Sequence, residues 1–186
     1  MNINEYQNYH ETKAHTSAEF PYNTYLCSIP LDFPGVPLHW HDELELVVIK
    51  RGQGFVSVDF DKRLVHSGDI IIIPPRCLHA IEQDDTFKME YENIIFKPDL
   101  LSSGANDLCM IQYIVPLLDG SLPIEYFLTP ALGSFEALSN CIRQIDLVCA
   151  DQTPGWQLAV KSSLFNFFFL LISERQKKTV STSSNS

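Results

Sequence analysis

The stretch Leu38-His39-Trp40-His41-Asp42-Glu43-Leu44-Glu45-Leu46-Val47-Val48-Ile49-Lys50-Arg51-Gly52-Gln53-Gly54 joins two kinds of sequence that are seldom neighbours. Its second half is an aliphatic run closed by a glycine-rich turn, which is how a buried strand reads. Its first half carries His39-x-His41-x-x-x-Glu45, with Gly52 after a further six residues. Side chains in a strand alternate with a period of two, so positions 39, 41 and 45 share a face while the segment stays extended. Glu43 joins that face unless the chain turns near Asp42-Glu43. Trp40 falls on the opposite face and reads as a packing residue.

A second pattern, Gly68-x5-Pro74-x-Arg76-x-x-His79, brings a third imidazole about one hairpin further along. Three imidazoles and a carboxylate suit a first-row divalent ion such as Zn, Ni, Fe or Mn, with positions left open for ligand or water. Without a metal, His39, His41, Glu45 and His79 are hydrogen-bonding groups for a polar effector. One such histidine alone reads as structural; the four groups in one pattern read as a site. Arg76, beside the expected pocket mouth, has the forked geometry to clamp a carboxylate or phosphate, although an Arg in such a loop is more often solvated. Asp69, directly after Gly68, reads as a turn stabiliser through its side chain. His10, His15 and His66 belong to no pattern and read as surface residues.

A chain of 186 residues with 45% apolar content can bury a real core, and it fits one compact domain with a helical appendage. Its formal net charge of -10 argues against gripping a phosphate backbone by itself, so any DNA contact is expected from elsewhere. Five cysteines without a C-x-x-C pair do not suggest a secreted disulfide framework, and a reducing cytoplasm is the expected compartment. The N-terminus is polar and lacks the basic and apolar regions of a signal peptide. The most apolar run, Leu164 to Ile172, is nine residues broken by Asn166, against about 20 needed for a membrane span; no crossing is expected.

Residues 1–19 are polar, without sustained period, and read as a mobile arm. From Phe20 short β-rich runs follow: Tyr22 to Ile29, Leu38 to Ile49, Gly54 to Phe60, Asp69 to Ile73, His79 to Gln83 and Phe87 to Phe96. Pro34-Gly35, Arg51-Gly52 and Ser67-Gly68 supply turn signals between them, the spacing of an all-β sandwich or barrel over residues 20–130. Leu108 to Leu118 reads as a strand or short helix, and Ile124 to Leu128 as a short strand. Thr129-Pro130 and Thr153-Pro154 each offer a capping hydroxyl and a first-turn proline, so two helices fill residues 131–175. Phe135, Leu138, Ile142, Ile145 and Cys149 make one apolar stripe on the first. On the second, Trp156, Val160, Leu164, Phe167 and Leu171 are widened by Phe165, Phe168, Phe169 and Ile172 nearly around the cylinder. Such a helix needs cover on most sides, which a second copy of the chain can supply. Polar Ser173 to Ser186 reads as a flexible tail, with residues 176–186 as tail or linker.

The two patterns resemble the two motifs of the cupin superfamily, over roughly residues 20 to 98. With Leu44 to Ile49, the Gly52-Gln53-Gly54 turn, Gly68 to Pro75 and the helical C-terminal part, the whole chain resembles the sensor half of an AraC-type transcription regulator. The resemblance implies a mainly β fold, a cupin-like antiparallel β-barrel (double-stranded β-helix) followed by two C-terminal α-helices. It also implies a small-molecule effector such as a sugar held in the barrel, a homodimer formed through the helices, and a linker to a helix-turn-helix part absent from this chain. The chain departs from the cupin pattern at Phe33, with Gly35 the nearest glycine, and at Arg76 and Gln83, where Gly and Asn are expected. Binding rather than turnover is therefore expected, with no catalytic residue. The competing readings are a cupin metalloenzyme of dioxygenase or sugar isomerase type and a stand-alone binding cupin.

Overall fold

Fifteen residues, Leu44–Val58, form a single strand, β3, from which the rest of the sheet is built. The computed structural model describes residues 3–104 and 106–183, apart from the side chains of Asn4 and residues 176–183. Leu44 to Ile49 are buried at every position and pair with β5 (Ile70–Ile73) on one side and β7 (Met89–Phe96) on the other. From Gly54 to Val58 the same strand pairs instead with β4 (Asp61–His66) and β6 (His79–Gln83). The change of partners occurs where the register to β7 shifts between Ile49 and Arg51. Gly52 there has φ +78°, and an added Cβ would run into the Lys88 carbonyl, so only glycine lets the strand bend that far. Arg51-Gly52 is thus a bend inside one strand, not a turn between two.

β1 (Tyr22–Ile29) pairs with β7, β2 (Gly35–His39) with β6, and β8 (Phe127–Leu128) with β5. Among the described residues these eight strands all pair antiparallel. Aliphatic side chains from both halves of β3, including Val47, Ile49, Val56 and Val58, meet Ile71, Ile73, Ile81, Met89 and Tyr91 in one cluster. Each such residue contributes on the order of 1.5–3 kcal/mol by leaving water. The Ser67-Gly68 turn is closed by the Asp69 carboxylate, which accepts from the His66 N–H at 2.8 Å, as its position predicts. The extra strand β4 carries no sequence signal because only Val65 among its six residues is buried.

The chain divides into two compact units, Met1–Leu100 with Tyr126–Thr129, and Leu101–Glu125 with Pro130–Ser186. In the second, a π-helical turn (Met110–Ile114) leads into a short helix, α2 (Val115–Leu118), where the sequence allowed a strand or helix. The helix α3 runs Phe135–Asp151. It starts five residues after Pro130 because a turn intervenes, with the Phe135 N–H donating to the Leu132 carbonyl at 2.9 Å. Leu138, Cys141, Ile142 and Ile145 form its buried stripe. The last helix, α4 (Trp156–Ser183), packs on α3, burying Val160, Leu164, Phe167, Phe168 and Leu171. It continues to Ser183 where the polar sequence from Ser173 suggests a flexible tail. By length and composition Trp156–Arg175 would suffice to cross a membrane, a length that the nine-residue apolar run conceals. A packed face against α3 is how a core helix of this composition is also used.

Candidate functional site

β2 ends at His39 and β3 begins at Leu44, so the histidines and Glu45 do not lie on one continuous extended face. The chain bends through Asp42-Glu43, and that bend, together with the cross-strand pairing of His39 with His79, brings the groups together. Ring centroids are 4.0 Å apart for His39–His79, 5.0 Å for His41–His79 and 5.7 Å for His39–His41. One ring nitrogen from each of the three lies within 4.8 Å of the others. Two nitrogens bound at 2.1 Å to one tetrahedral ion stand roughly 3.4 Å apart, so loading an ion would draw the rings slightly inward.

Hydrogen bonding fixes which nitrogen faces the centre. His39 Nδ1 lies 2.9 Å from the Pro37 carbonyl and His79 Nδ1 2.9 Å from the Cys77 carbonyl. A carbonyl only accepts, so both Nδ1 atoms carry the proton and both Nε2 atoms point to the cluster. Backbone anchoring of this kind is what metal-ligating histidines show. Buried His79 Nε2 has no hydrogen bond and stands 3.3 Å from Glu45 Oε2. Either it takes a second proton or a cation fills the place of that proton. His41 Nε2 donates to Glu45 Oε2 at 3.0 Å, and its Nδ1 is 3.6 Å from the buried Glu43. The three imidazoles, the anchored tautomers and the unpartnered nitrogen therefore fit a divalent ion held by His39, His41 and His79, with the Glu45 carboxylate 3.0 Å from His41 Nε2 and 3.3 Å from His79 Nε2.

Charges within the cluster are unequal. Burial pushes the Glu45 carboxyl up, but its hydrogen bond with His41 and the close His79 imidazole outweigh that and hold it well below the usual carboxylate range. Burial also disfavours charge on His41, yet the Glu45 hydrogen bond and the surrounding carboxylates raise its pKa overall. His39 is lowered, by burial first and then by His79.

These groups line a cavity of about 260 Å³ whose remaining wall includes Tyr25, Cys27, Phe33, Val36, Tyr91 and Asn93. Burial pushes the Cys27 thiol and the Tyr91 hydroxyl up, so both stay neutral, and Asn93 Oδ1 is buried without a hydrogen bond. The cavity thus offers uncharged polar atoms opposite the charged cluster, enough for one small polar molecule.

Part of the rim comes from the described residues of the arm, 3–19, which pack on Trp40 and the cavity instead of standing loose. A short helix, α1 (Ile3–Gln7), brings Tyr6 onto the Trp40 ring at 4.8 Å, and His10 stacks on the same ring at 4.1 Å. Trp40 Nε1 donates to the Tyr6 carbonyl at 2.9 Å, and Glu11 N–H to the Trp40 carbonyl at 2.9 Å. Trp40 therefore packs, as parity predicts, and what it packs against is the arm. Glu11, Lys13 and His15 then line the cavity. His15 is buried, not a surface residue as its isolation in sequence suggests; His10 and His66 are exposed. Nothing local in the sequence flags Glu11 or His15, because only the docking of the arm puts them there.

Arg76 is the ligand-binding candidate that the structure does not bring to the cavity. Its side chain is 72% exposed, with Nε donating to Asp42 Oδ1 at 2.7 Å. Its left-handed backbone, φ +63°, turns the side chain outward, while its N–H donates to the His41 carbonyl at 2.7 Å. Arg76 positions the bend that holds His41.

Comparison with known proteins decides the family: the AraC-like ligand binding domain matches residues 31–168. The chain belongs to that family. The HTH-type transcriptional regulator YdeC of Bacillus subtilis (strain 168), itself described as uncharacterized, is 32% identical over 159 residues, which is 85% of this chain and 54% of that protein. A second such regulator of the same organism, YbfI, is 26% identical over 72 residues, 39% of this chain and 26% of its own. The chain thus spans about half the length of the first relative and less of the second. Among solved structures, a cupin protein from Bacteroides fragilis is 24% identical, covering 47% of this chain and 80% of its own, with a TM-score of 0.40.

Proposed function

We propose that this AraC-like domain senses a small polar molecule, such as a sugar, in the barrel cavity, held beside a divalent ion on His39, His41, Glu45 and His79. The observation that carries the reading is the juxtaposition of the anchored histidines with the uncharged polar wall of Tyr91 and Asn93 in one cavity. When bound, the ion would supply a charged centre for a hydroxyl or carboxylate of the effector. The chain's own residues orient it: Pro37 and Cys77 carbonyls fix two imidazoles, and Glu43 stands behind the third. No catalytic residue is assigned, in keeping with relatives named as transcriptional regulators.

The reading extends to assembly. On α4, Leu158, Phe165 and Phe169 recur at steps of seven and four along one face and are exposed, Phe169 by 64%. A second copy covering that face makes the homodimer, and DNA contact belongs to a helix-turn-helix part outside these residues, in a cytoplasmic regulator. Signalling requires the effector to favour one of two conformations, and the arm on the cavity rim is the element placed to respond.

Calorimetric titration of monosaccharides into the zinc-loaded chain tests the sensing role. One sugar class should bind at one molecule per chain, and Asn93→Ala should weaken it at least tenfold. Equal affinity for the wild-type and Asn93→Ala chains would remove the cavity from the sensing role.

A further inference from the structure

Two lone pairs in the cluster face oxygens that cannot donate to them. His39 Nδ1 donates its N–H to the Pro37 carbonyl, and its Nε2 stands 3.6 Å from Glu11 Oε2. Across the same cluster, His79 Nδ1 donates its N–H to the Cys77 carbonyl, and its Nε2 stands 3.3 Å from Glu45 Oε2. The rings of His39 and His79 are 4.0 Å apart, so the two confrontations are adjacent. A nitrogen and an oxygen bound at about 2.1 Å to the same ion stand roughly 3.0–3.4 Å apart in octahedral or tetrahedral geometry. Both separations are within a few tenths of an ångström of that spacing, and the Glu11 contact is too long for a hydrogen bond.

Glu11 is also aimed. Its Oε2 takes a hydrogen bond of 2.8 Å from His15 Nε2, and the His15 ring stands edge-on to Tyr25 at 5.9 Å. The backbone is docked on both sides, by the Glu11 N–H on the Trp40 carbonyl at 2.9 Å and by Asn23 Nδ2 donating to the His15 carbonyl at 2.9 Å. Lys13, between them, turns instead to the Tyr25 ring at 5.2 Å, so the group presented to the cluster is the carboxylate.

We propose that Glu11 is a metal ligand carried by the N-terminal arm, so that a divalent ion held by His39, His41, Glu45 and His79 clamps the arm over the cavity when it binds. The inference rests on the metal reading under Proposed function. It gives the arm a reason to respond to the ion itself, before any effector enters: the ion joins the arm to the barrel through one carboxylate, and its loss leaves the Glu11 carboxylate hydrogen-bonded to His15 alone.

The test uses the chain of residues 1–186, with Co(II) titration followed by visible absorption and trypsin cleavage after Lys13 followed by mass spectrometry, with and without Zn(II). The wild-type chain should bind one Co(II), and Zn(II) should slow cleavage after Lys13 at least tenfold. Glu11→Gln should lower metal affinity tenfold or more, change the Co(II) spectrum and bring the ratio of cleavage rates with and without Zn(II) to about one. Glu11→Asp, which keeps a carboxylate, should recover part of that ratio. Should Glu11→Gln keep the wild-type affinity, spectrum and ratio, Glu11 is only the partner of His15 and the inference is overturned while the metal reading stands. Should the wild-type chain bind no Co(II), the metal reading fails and the inference with it.

Discussion

Replacing Trp40 by Ala should release the arm, and the structure supplies the size of the effect. The Trp40 ring stacks on Tyr6 at 4.8 Å and on His10 at 4.1 Å, and its Nε1–H donates to the Tyr6 carbonyl at 2.9 Å. Aromatic pairs contribute about 0.5–1.5 kcal/mol each beyond area, and a neutral hydrogen bond a similar net amount. The sum is about 3 kcal/mol, or roughly a hundredfold in the population of the open arm. The two backbone bonds, Trp40 N–H to the Tyr9 carbonyl and Glu11 N–H to the Trp40 carbonyl, survive the substitution and keep the loss from being total. Where opening and closing are fast, proteolysis tracks the open population, so trypsin cleavage after Lys13 in metal-free protein is the assay. Trp40→Ala should be cut about a hundred times faster than wild type. Trp40→Phe, which keeps a ring but loses the Nε1 bond, should fall about fivefold above wild type. Cleavage of Trp40→Ala within twofold of wild type would refute the reasoning, placing the hold on the arm in its cavity end instead.

Gly52→Ala should cost about 3 kcal/mol or more in urea unfolding, since the residue has φ +78° and its new Cβ would meet the Lys88 carbonyl; a loss under about 1 kcal/mol would mean that β3 can bend otherwise. In metal-free protein, NMR titration should find the His41 ring protonating with a midpoint above about 6.5 and the His39 ring below it, following their raised and lowered pKa values. The sign for stability follows: His41 stabilises the fold at low pH and loses that contribution as pH rises through its folded pKa, so His41→Gln should flatten the decline in Tm on the alkaline side of about 6.5. The reverse order of midpoints would contradict the charge assignment. Phe169→Glu should convert a dimer to a monomer in sedimentation equilibrium with the far-UV circular dichroism unchanged, because the side chain is 64% exposed within one chain; a monomeric wild-type chain would end the proposal that α4 pairs with a second copy.

Much of this architecture is legible in the sequence because two signals are local and strong. Tyr22–Ile29 and His79–Gln83 appear as strands at the predicted bounds, the first rich in β-branched and aromatic residues and both stopping at turn residues, Pro30 and Asp84-Asp85. The glycines at 52 and 68 mark a bend and a turn for the same reason, their positive φ. The histidine pattern points to the cluster, while period-two parity holds only for an extended segment, and the Asp42-Glu43 bend, one of the two possibilities the sequence leaves open, breaks it between His41 and Glu45. Arg76 misled for a related reason: its left-handed backbone cannot be read from neighbours, and the side chain follows the backbone outward to Asp42. Glu11 and His15 were invisible, as their place depends on a parallel bridge between His10 and Trp40, thirty positions apart, which no local pattern encodes. The start of α3 at Phe135 rather than beside Pro130 shows that a capping hydroxyl and a proline mark where a helix can start, not where it must.

The central claim is that the two carbonyl-anchored imidazoles of His39 and His79 form one cation site with His41 and Glu45. Calorimetric titration of Zn(II) into the metal-free chain near pH 6.5, repeated in two buffers of different ionisation enthalpy, tests it most directly. The account predicts one ion per chain, release of a proton as the His41 Nε2–H leaves Glu45, and a loss of affinity of a hundredfold or more in His79→Gln. Binding that is absent in the wild-type chain, or undiminished in His79→Gln, would contradict it.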